Sequence, residues 1–384
     1  MTAASRDRGT IDMMERMGTW AVAMSGGVDS SVAAALLRAE GHEVVGITMN
    51  LWPDWLPEPD DAFKACCGVS AIEDARAVAR HLGIRHYVLS MREEFEHAVI
   101  EYFVDAYARG RTPNPCIACN QAIKFSLLLR KVTALGLDGV ATGHYARVAF
   151  DDTTRRYHLL RGRDAHRDQS YVLYGLTQMQ LARLRLPIGM YTKDAVRTLA
   201  RDFGLPVAGK PDSQEICFVP RGSYTDVVAR FRPEALRPGP ILDTDGRGVG
   251  THQGIARYTV GQRRGLGIAS GTPVYVVAID QERNTVIVGG EDDLLCEELT
   301  ASAMNWIVLP DPDGERRVTA RVRHAASDVP ARVRPGADIT EAVVRFDVPQ
   351  RAASPGQAVA LYDGERVLGG GTITQVRTPA PLRA

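Results

Sequence analysis

Residues 21–37, Ala-Val-Ala-Met-Ser-Gly-Gly-Val-Asp-Ser-Ser-Val-Ala-Ala-Ala-Leu-Leu, limit the possible folds more than any other stretch of the chain. An apolar run fit for a buried strand meets a glycine turn, and the turn opens an apolar-periodic helix. The turn is Ser25-Gly26-Gly27-Val28-Asp29-Ser30-Ser31. Two glycines let the backbone approach an anion closely, and the N–H groups of the following helix start point at it. No Gly-Lys-Ser/Thr follows, so this is not a Walker A loop. A cradle without that lysine suits a pyrophosphate better than a transferred γ-phosphate. The plainer alternative is a glycine turn that binds nothing. The flanking strand and helix, with Ser, Asp and Ser in the polar slots, favour a nucleotide.

The chain has 384 residues, enough for two or three domains, and 45% hydrophobic residues, ordinary for a globular protein. No apolar run approaches membrane-spanning length, so no membrane association is expected. Residues 1–18 are polar and mixed in charge and read as a flexible tail, without the apolar core of a signal peptide. Six cysteines without an export signal indicate a reducing compartment, the cytoplasm, and thiols used for chemistry. The net charge is zero, so any nucleic-acid contact must use a local basic face.

From Thr19 to Val219, strand and helix signals alternate. Strands are expected at Trp20–Met24, Glu43–Leu51, His86–Leu89 and Gly139–Thr142. Helices are expected at Ser30–Glu40, Ala71–Leu82 and Ala122–Leu135, each ended by glycine, and within Tyr191–Gly204. This alternation predicts a parallel sheet with helices on both faces and ligands at the strands' carboxyl ends. After Arg221 the texture changes. A short helix, Tyr224–Phe231, leads into a proline-rich linker and a glycine-rich segment with short strands. From Leu299 onward regular short strands predict a small barrel, at Val318–Val322, Val329–Val333, Ala342–Phe346, Ala358–Tyr362 and Gly370–Val376.

The cysteines divide by context. Cys116-Ile-Ala-Cys119 lies in a proline-rich loop, with Cys119 expected near a helix N-terminus, where the dipole favours thiolate. Cys217 lies in Lys210-Pro-Asp-Ser-Gln-Glu-Ile-Cys-Phe218. Cys66 and Cys67 are adjacent, a spacing unsuited to zinc. Cys296 reads as a small buried apolar residue.

Ser25–Ser31 resembles the pyrophosphate-loop (PP-loop) motif of ATP pyrophosphatases, which cleave ATP between the α- and β-phosphates and adenylate a substrate. The segments Gly110–Phe125, Ala141-Thr-Gly-His-Tyr145, Asp168-Gln-Ser-Tyr171, Asp212–Phe218, Gly261-Gln-Arg-Arg-Gly-Leu-Gly267 and Ser354-Pro-Gly-Gln357 follow in order. Together they are similar to the tRNA-specific 2-thiouridylase family, from Ala21 to about Val376. The resemblance implies an α/β, parallel-sheet PP-loop catalytic domain over 19–220 and a small central domain over 221–290. A tRNA-binding C-terminal β-barrel over 291–384 completes it. It implies adenylation of the C2 oxygen of the wobble uridine in tRNA, followed by replacement with sulfur from a persulfide donor protein. ATP and Mg2+ are the implied cofactors, with Asp29 beside the metal. Cys119 takes the nucleophile's place and Cys217 the persulfide carrier's, and a disulfide between them is expected on sulfur release. Nucleotide contacts fall on Ala23, Met24, Ser25, Gly26, Gly27, Val28, Asp29, Ser30, Met49 and Gly143. Contacts to tRNA fall on Asn114, Pro115, Cys116, His144, Arg167, Asp168, Gln169, Arg323, His324 and Gln357.

Two positions depart from the family pattern. Cys116 stands where many members have Asp, and His324 stands where the basic-aromatic pair usually has tyrosine. One mechanistic alternative remains open, in which Cys116, Cys119 and Cys217 ligate a 4Fe–4S cluster whose fourth iron carries sulfide. Two other functions compete with tRNA thiolation: a PP-loop ligase acting on a small molecule, and a tRNA-binding module with a vestigial loop. Cys119, Cys217 and the β domain count against the ligase, and the intact loop with both thiols counts against the binding module.

Overall fold

The computed structural model describes residues 17–56, 68–212, 216–219, 223–269, 271–308, 314–324 and 326–378. Cys66, Cys67 and the expected tail, apart from Met17 and Gly18, lie outside the described residues. The chain forms two compact units. One comprises 1–95, 119–220 and 365–367, and the other 96–118, 221–364 and 368–384.

The first unit is built on a five-stranded sheet. Its strands are β1 (Thr19–Ala23), β2 (Glu43–Asn50), β3 (Arg85–Ser90), β4 (Gly139–Ala141) and, after the hairpin β5 (Ala146–Asp151) and β6 (Arg156–Arg161), β7 (Leu184–Arg185). The order is β3-β2-β1-β4-β7, and all four pairings are parallel. The inner strands β1, β2 and β4 are buried on both faces, which explains their nearly unbroken apolar runs, while the edge strand β3 is partly exposed. Helices α1 (Val28–Ala39) and α2 (Val69–Leu82) supply Val32, Leu36, Leu37, Ala75 and Val78 to a core shared with Val22 and Val44. Full burial of each larger aliphatic contributes about 1.5–3 kcal/mol. Gly83 ends α2 in the left-handed conformation at φ 64°, as the sequence predicts.

The strand order fixes where a ligand can bind. From β1 the chain moves to β2 and β3 on one side, then places β4 and β7 on the other. The order therefore reverses between β1 and β4, and the crevice at their carboxyl ends is the binding position of such sheets. The loop after β1 is Ser25–Ser31, and the loop after β4 contains Gly143. Gly143 packs against the start of α1, where a Cβ would lie 2.6 Å from both Asp29 C and Ser30 N. Gly26 has φ +65°, and a Cβ there would lie 2.3 Å from the Ala71 carbonyl oxygen of α2. Both glycines are thus required by backbone contacts and not only by turn geometry.

The second unit carries two β structures. A four-stranded sheet contains β8 (Gly239–Asp243), β9 (Gly248–His252), β10 (Tyr275–Asp280) and β11 (Thr285–Gly289), in the order β10-β11-β8-β9. A barrel contains β12 (Leu295–Trp306), β13 (Arg316–Arg321), β14 (Val329–Pro335), β15 (Glu341–Arg351), β16 (Ala358–Asp363) and β17 (Arg366–Arg377). Its order is β12-β15-β14-β13-β16-β17, and β12 also pairs with β17, which closes it. Alternate residues such as Val318, Ala320, Ala331, Val333, Ala342, Val344 and Phe346 fill the interior. The barrel predicted from the sequence is present, with longer strands and the additional β12. The helix Tyr224–Phe231 has the predicted bounds, and its capping box of Ser223 and Asp226 explains its start.

The Gly143 contact yields a direct test. Gly143→Ala should destabilise the protein by about 1–3 kcal/mol through overpacking against backbone, lowering the urea midpoint. Gly209→Ala, where a Cβ meets nothing within 4 Å, should leave that midpoint near the parent's. Equal midpoints for the two variants would contradict the packing account.

Candidate active site

The cradle opens α1. Gly27 is its N-cap and provides no side-chain cap, so the first helical N–H groups face the crevice without a competing acceptor from that residue. The serines shape the turn. Ser30 Oγ accepts from the Ser25 amide at 3.2 Å, and Ser31 Oγ donates to the Gly27 carbonyl at 2.7 Å. Ala23 and Met24 close β1, and Met24 donates its amide to Ile47 on β2 at 2.8 Å. Met49 lies buried at the carboxyl end of β2. All the expected nucleotide positions therefore lie at the strand ends, together with Gly143.

Asp29 has closer partners than the sequence suggested. Lys193 Nζ donates to its two carboxylate oxygens at 2.8 and 2.9 Å, and Tyr145 Oη donates to Oδ1 at 2.8 Å. The same ammonium lies 2.8 Å from Asp212 Oδ1. Asp212 is further flanked by Arg167 and Arg197, each at 3.1 Å. Burial raises the Asp212 pKa, but the Lys193 hydrogen bond and charge, then Arg167 and Arg197, outweigh it and hold the carboxyl below its usual range. Burial, and then Asp29, push the Tyr145 phenol far above its usual value, so it stays protonated and donates. Lys210 Nζ reaches the Gly26 carbonyl at 3.1 Å and Asp74. The cradle is thus lined by Lys193, Lys210, Arg167 and Arg197 against Asp29, Asp74 and Asp212, leaving cations in surplus.

Lys193, Asp212, Lys210 and Tyr145 were not singled out as site residues from sequence. Lys193 is 164 positions from Asp29, and no local pattern marks it. Asp212, Lys210 and Tyr145 lie inside segments that carry the family resemblance, which was the available signal.

The residues expected to touch RNA fall into two groups. In the first unit, Asp168 is turned inward. Its carboxylate accepts from the Gly162 and Ser170 amides at 3.0 and 3.1 Å and from Ser170 Oγ at 2.9 Å. Those bonds engage both oxygens in holding the turn, with Arg161 at 3.4 Å beside them. Gln169 Oε1 accepts from the Tyr145 amide at 2.9 Å, while Arg167 keeps a partly exposed guanidinium on Asp212. His144 is buried, 2.7 Å from Thr142 Oγ1 through Nδ1 and stacked near Phe125. Burial, then the Lys124 charge, hold its pKa well below the usual value, so the ring is neutral.

In the second unit, Asn114 caps the helical turn Pro115–Ala118. Its Oδ1 accepts from the Cys116 and Ile117 amides at 3.1 and 3.3 Å, and Pro115 takes the first helical place. The Thr112 amide donates to the Pro355 carbonyl at 3.1 Å, and Gly356 packs on Arg111. These contacts bring the Asn114–Cys116 loop beside the loop bearing Gln357, whose Oε1 is buried without a hydrogen-bond partner among the described residues. Arg323 is exposed and donates to the Arg351 carbonyl at 3.2 Å, and His324 is exposed beside it.

The helical turn changes the reading of the thiols. It begins at Pro115, so Cys116 occupies the first turn. Cys119 instead opens a ten-residue π-helical stretch, Cys119–Leu128. Cys119, expected near the helix N-terminus, thus lies one turn in from Pro115, where the dipole acts more weakly. Long π-helical stretches are rare, and shorter ones concentrate at functional positions. Asn120 fixes this stretch, donating to the Val172 carbonyl at 3.1 Å and accepting from Lys124 at 2.9 Å. Cys217 is half-buried in the turn Ile216–Val219, anchored by Phe218, which packs edge-on to Phe95 at 5.9 Å. Cys296 is buried, with its thiol pushed up to about 11 by burial, as expected of an inert cysteine. No disulfide joins the described cysteines.

Among the described residues, those at the cradle do not form a protein-held metal site. Both Asp29 oxygens are engaged by Lys193 and Tyr145, which leaves Asp29 poorly suited as a magnesium ligand. Among the described residues no group of three or more His, Cys, Asp or Glu side chains is placed to hold a metal. The 4Fe–4S alternative on Cys116, Cys119 and Cys217 therefore has no support in the donor geometry. No helix among the described residues is long and apolar enough to cross a membrane.

Comparison with known proteins agrees with this architecture. Residues 19–221 match the tRNA methyl transferase HUP domain, 225–290 the tRNA methyl transferase PRC-barrel domain, and 296–373 the aminomethyltransferase beta-barrel domain. A tRNA-specific 2-thiouridylase of Moorella thermoacetica is 54% identical over 92% of this chain and 99% of its own length. A protein of the same name from Acetivibrio thermocellus is 49% identical over 92% of this chain and 98% of its own. Among solved structures, a 4-thiouridine synthetase in complex with RNA and ATP covers 56% of this chain and 51% of its own at 17% identity. Its TM-score of 0.34 is too low to carry an argument. With matches that span nearly the whole of both curated relatives and reach all three domains, the chain belongs to the tRNA-specific 2-thiouridylase family.

Proposed function

We propose that the protein carries out ATP-dependent 2-thiolation of the wobble uridine of tRNA in the cytoplasm, releasing AMP and pyrophosphate. The observation that carries this reading is the glycine-capped start of α1 at the sheet's switch point, flanked by Lys193 and Lys210, in a chain of this family. The N–H groups there suit the pyrophosphate portion of ATP. The ammonium shared by Asp29 and Asp212 sets positive charge beside the place of the phosphates, and Tyr145 keeps Asp29 oriented. When bound with ATP, magnesium would neutralise phosphate charge.

The chemistry proceeds in two stages. The C2 oxygen of uridine attacks the α-phosphorus, the bond to the β-phosphate breaks, and pyrophosphate leaves as the N3 proton is lost. The poor amide-like leaving group becomes AMP. The outer sulfur of a persulfide on Cys217 then attacks C2, and the C2–O bond breaks to release AMP. Cys119 thiolate attacks the Cys217 sulfur and breaks the persulfide S–S bond, leaving sulfur on C2 and a Cys119–Cys217 disulfide. A thiol reductant restores both cysteines, and a persulfide donor protein reloads Cys217. Arg167, Gln169, Arg323, His324, Gln357 and the Asn114–Cys116 loop contact the RNA in this reading.

Two sets of variants test the assignment. Lys193→Met and Asp29→Asn should each slow AMP formation by about 100- to 1000-fold, the cost of losing one preorganised electrostatic contact. AMP release at the parent rate from either variant, measured with tRNA present, would remove that residue from the activation step. Cys119→Ser and Cys217→Ser should abolish 2-thiouridine while leaving pyrophosphate release near the parent level, and Cys116→Ala should retain most thiolation. Nucleoside mass spectrometry reads this out. Continued 2-thiouridine synthesis by Cys119→Ser, or its loss from Cys116→Ala, would contradict the division of labour between the thiols.

A further inference from the structure

The outer face of the barrel carries an unusual register. Arg317 on β13 pairs directly with Arg332 on β14, and Arg332 pairs directly with Arg345 on β15. The inward neighbours Val318, Ala331, Val333, Val344 and Phe346 are buried, while all three arginines are exposed. Three guanidinium groups therefore stand in one row across three adjacent strands about 4.7–4.9 Å apart. Arg334, also exposed, lies two residues along β14 on the same face.

Like charges directly opposite one another weaken a sheet, so this row works against the barrel's own stability. The acidic neighbours relieve it only in part. Arg332 pairs with Glu315 at 2.9 Å, Asp347 adds to the field at Arg332, and Arg345 faces Glu298 in the register with β12. The guanidinium groups of Arg317 and Arg345 have no ion-pair or hydrogen-bond partner among the described residues. Protection of an exposed sheet edge, a common reason for surface charge on strands, does not apply, because β12 and β17 close the barrel. Nor is the whole surface basic, since the chain's net charge is zero.

We propose that this arginine row is a docking surface for the sugar-phosphate backbone of the tRNA substrate, distinct from the residues expected at the target base. The proposal rests on the tRNA-thiolation reading and adds a contact surface to it. A row of closely spaced guanidinium groups is costly in isolation and becomes favourable when phosphates lie across it and counterions are released. Contacts of this kind hold register and orientation without reading sequence. The row should therefore serve any structured tRNA equally.

The test uses the full-length chain and the double variant Arg317→Gln/Arg345→Gln, which keeps the Arg332–Glu315 pair. Binding is measured across a salt series for a tRNA with a wobble uridine and for one without it. Both tRNAs should bind the variant on the order of 10-fold more weakly, and the slope of log affinity against log salt should fall by about 1 for each arginine removed. ATP binding should not change, and the urea midpoint should equal or exceed the parent's, because a like-charge row has been relieved. Arg85→Gln, at an arginine paired with Glu43, should leave the slope unchanged. A parent that binds and thiolates tRNA beside a double variant with an unchanged slope would overturn the docking surface alone. A lowered slope accompanied by equal loss in Arg85→Gln would also overturn it. A parent that binds neither tRNA at any salt would overturn the thiolation reading and the docking surface with it.

Discussion

A buried ammonium organises the first unit. Lys193, with only 9% of its side chain exposed, lies between the carboxylates of Asp29 and Asp212. A cation so withdrawn from water is tolerated only with close anionic partners, and removal of one partner from such a pair typically costs about 3–5 kcal/mol. The lysine sits at the first position of the helix Lys193–Asp202, set by the Thr192 cap. Asp29 sits in the first turn of α1, and Asp212 precedes the turn that bears Cys217. Three distant stretches of sequence are thereby fixed to one charge. The cradle geometry, the orientation of Asp29 and the approach to the Cys217 segment depend on it together.

Close backbone contact is the second constraint. The crevice between β1 and β4 keeps its close packing only because Gly143 and Gly26 carry no side chain, where a Cβ would meet the backbone of Asp29, Ser30 or Ala71. The same crevice is dense with titratable groups whose partners are already assigned. Asp29 orients a lysine, Asp212 gathers three cations, and Asp168 holds a turn. Both oxygens of Asp29 and of Asp168 already have partners, whereas backbone N–H groups at the start of α1 face the crevice.

Legibility in the sequence followed the range of the interactions. β1, the glycine turn and α1 were readable because an apolar run, two glycines and a helical period are all local. The glycine stop of α2 at Gly83 was readable for the same reason. The hairpin β5–β6 and the long strand β12 were missed, since their polar and charged residues alternate without a strong apolar face. The π-helical stretch at Cys119 was invisible, because a change of helical pitch leaves no mark on composition. His144 and Asp168 illustrate the limit at the site. Both lie in family segments, yet one is sealed as a neutral ring against Thr142 and the other is spent on Gly162 and Ser170. The arginine row required register, and three residues 317, 332 and 345 show nothing in one dimension.

The central claim is that the cradle activates the uridine oxygen as an adenylate, so that this oxygen departs with AMP. Single-turnover reaction with tRNA whose wobble uridine carries 18O at C2, followed by mass spectrometry of the nucleotide products, tests it most directly. The account predicts one 18O atom in AMP for each 2-thiouridine formed, with none in pyrophosphate. Label in pyrophosphate or in water, with 2-thiouridine formed, would contradict it.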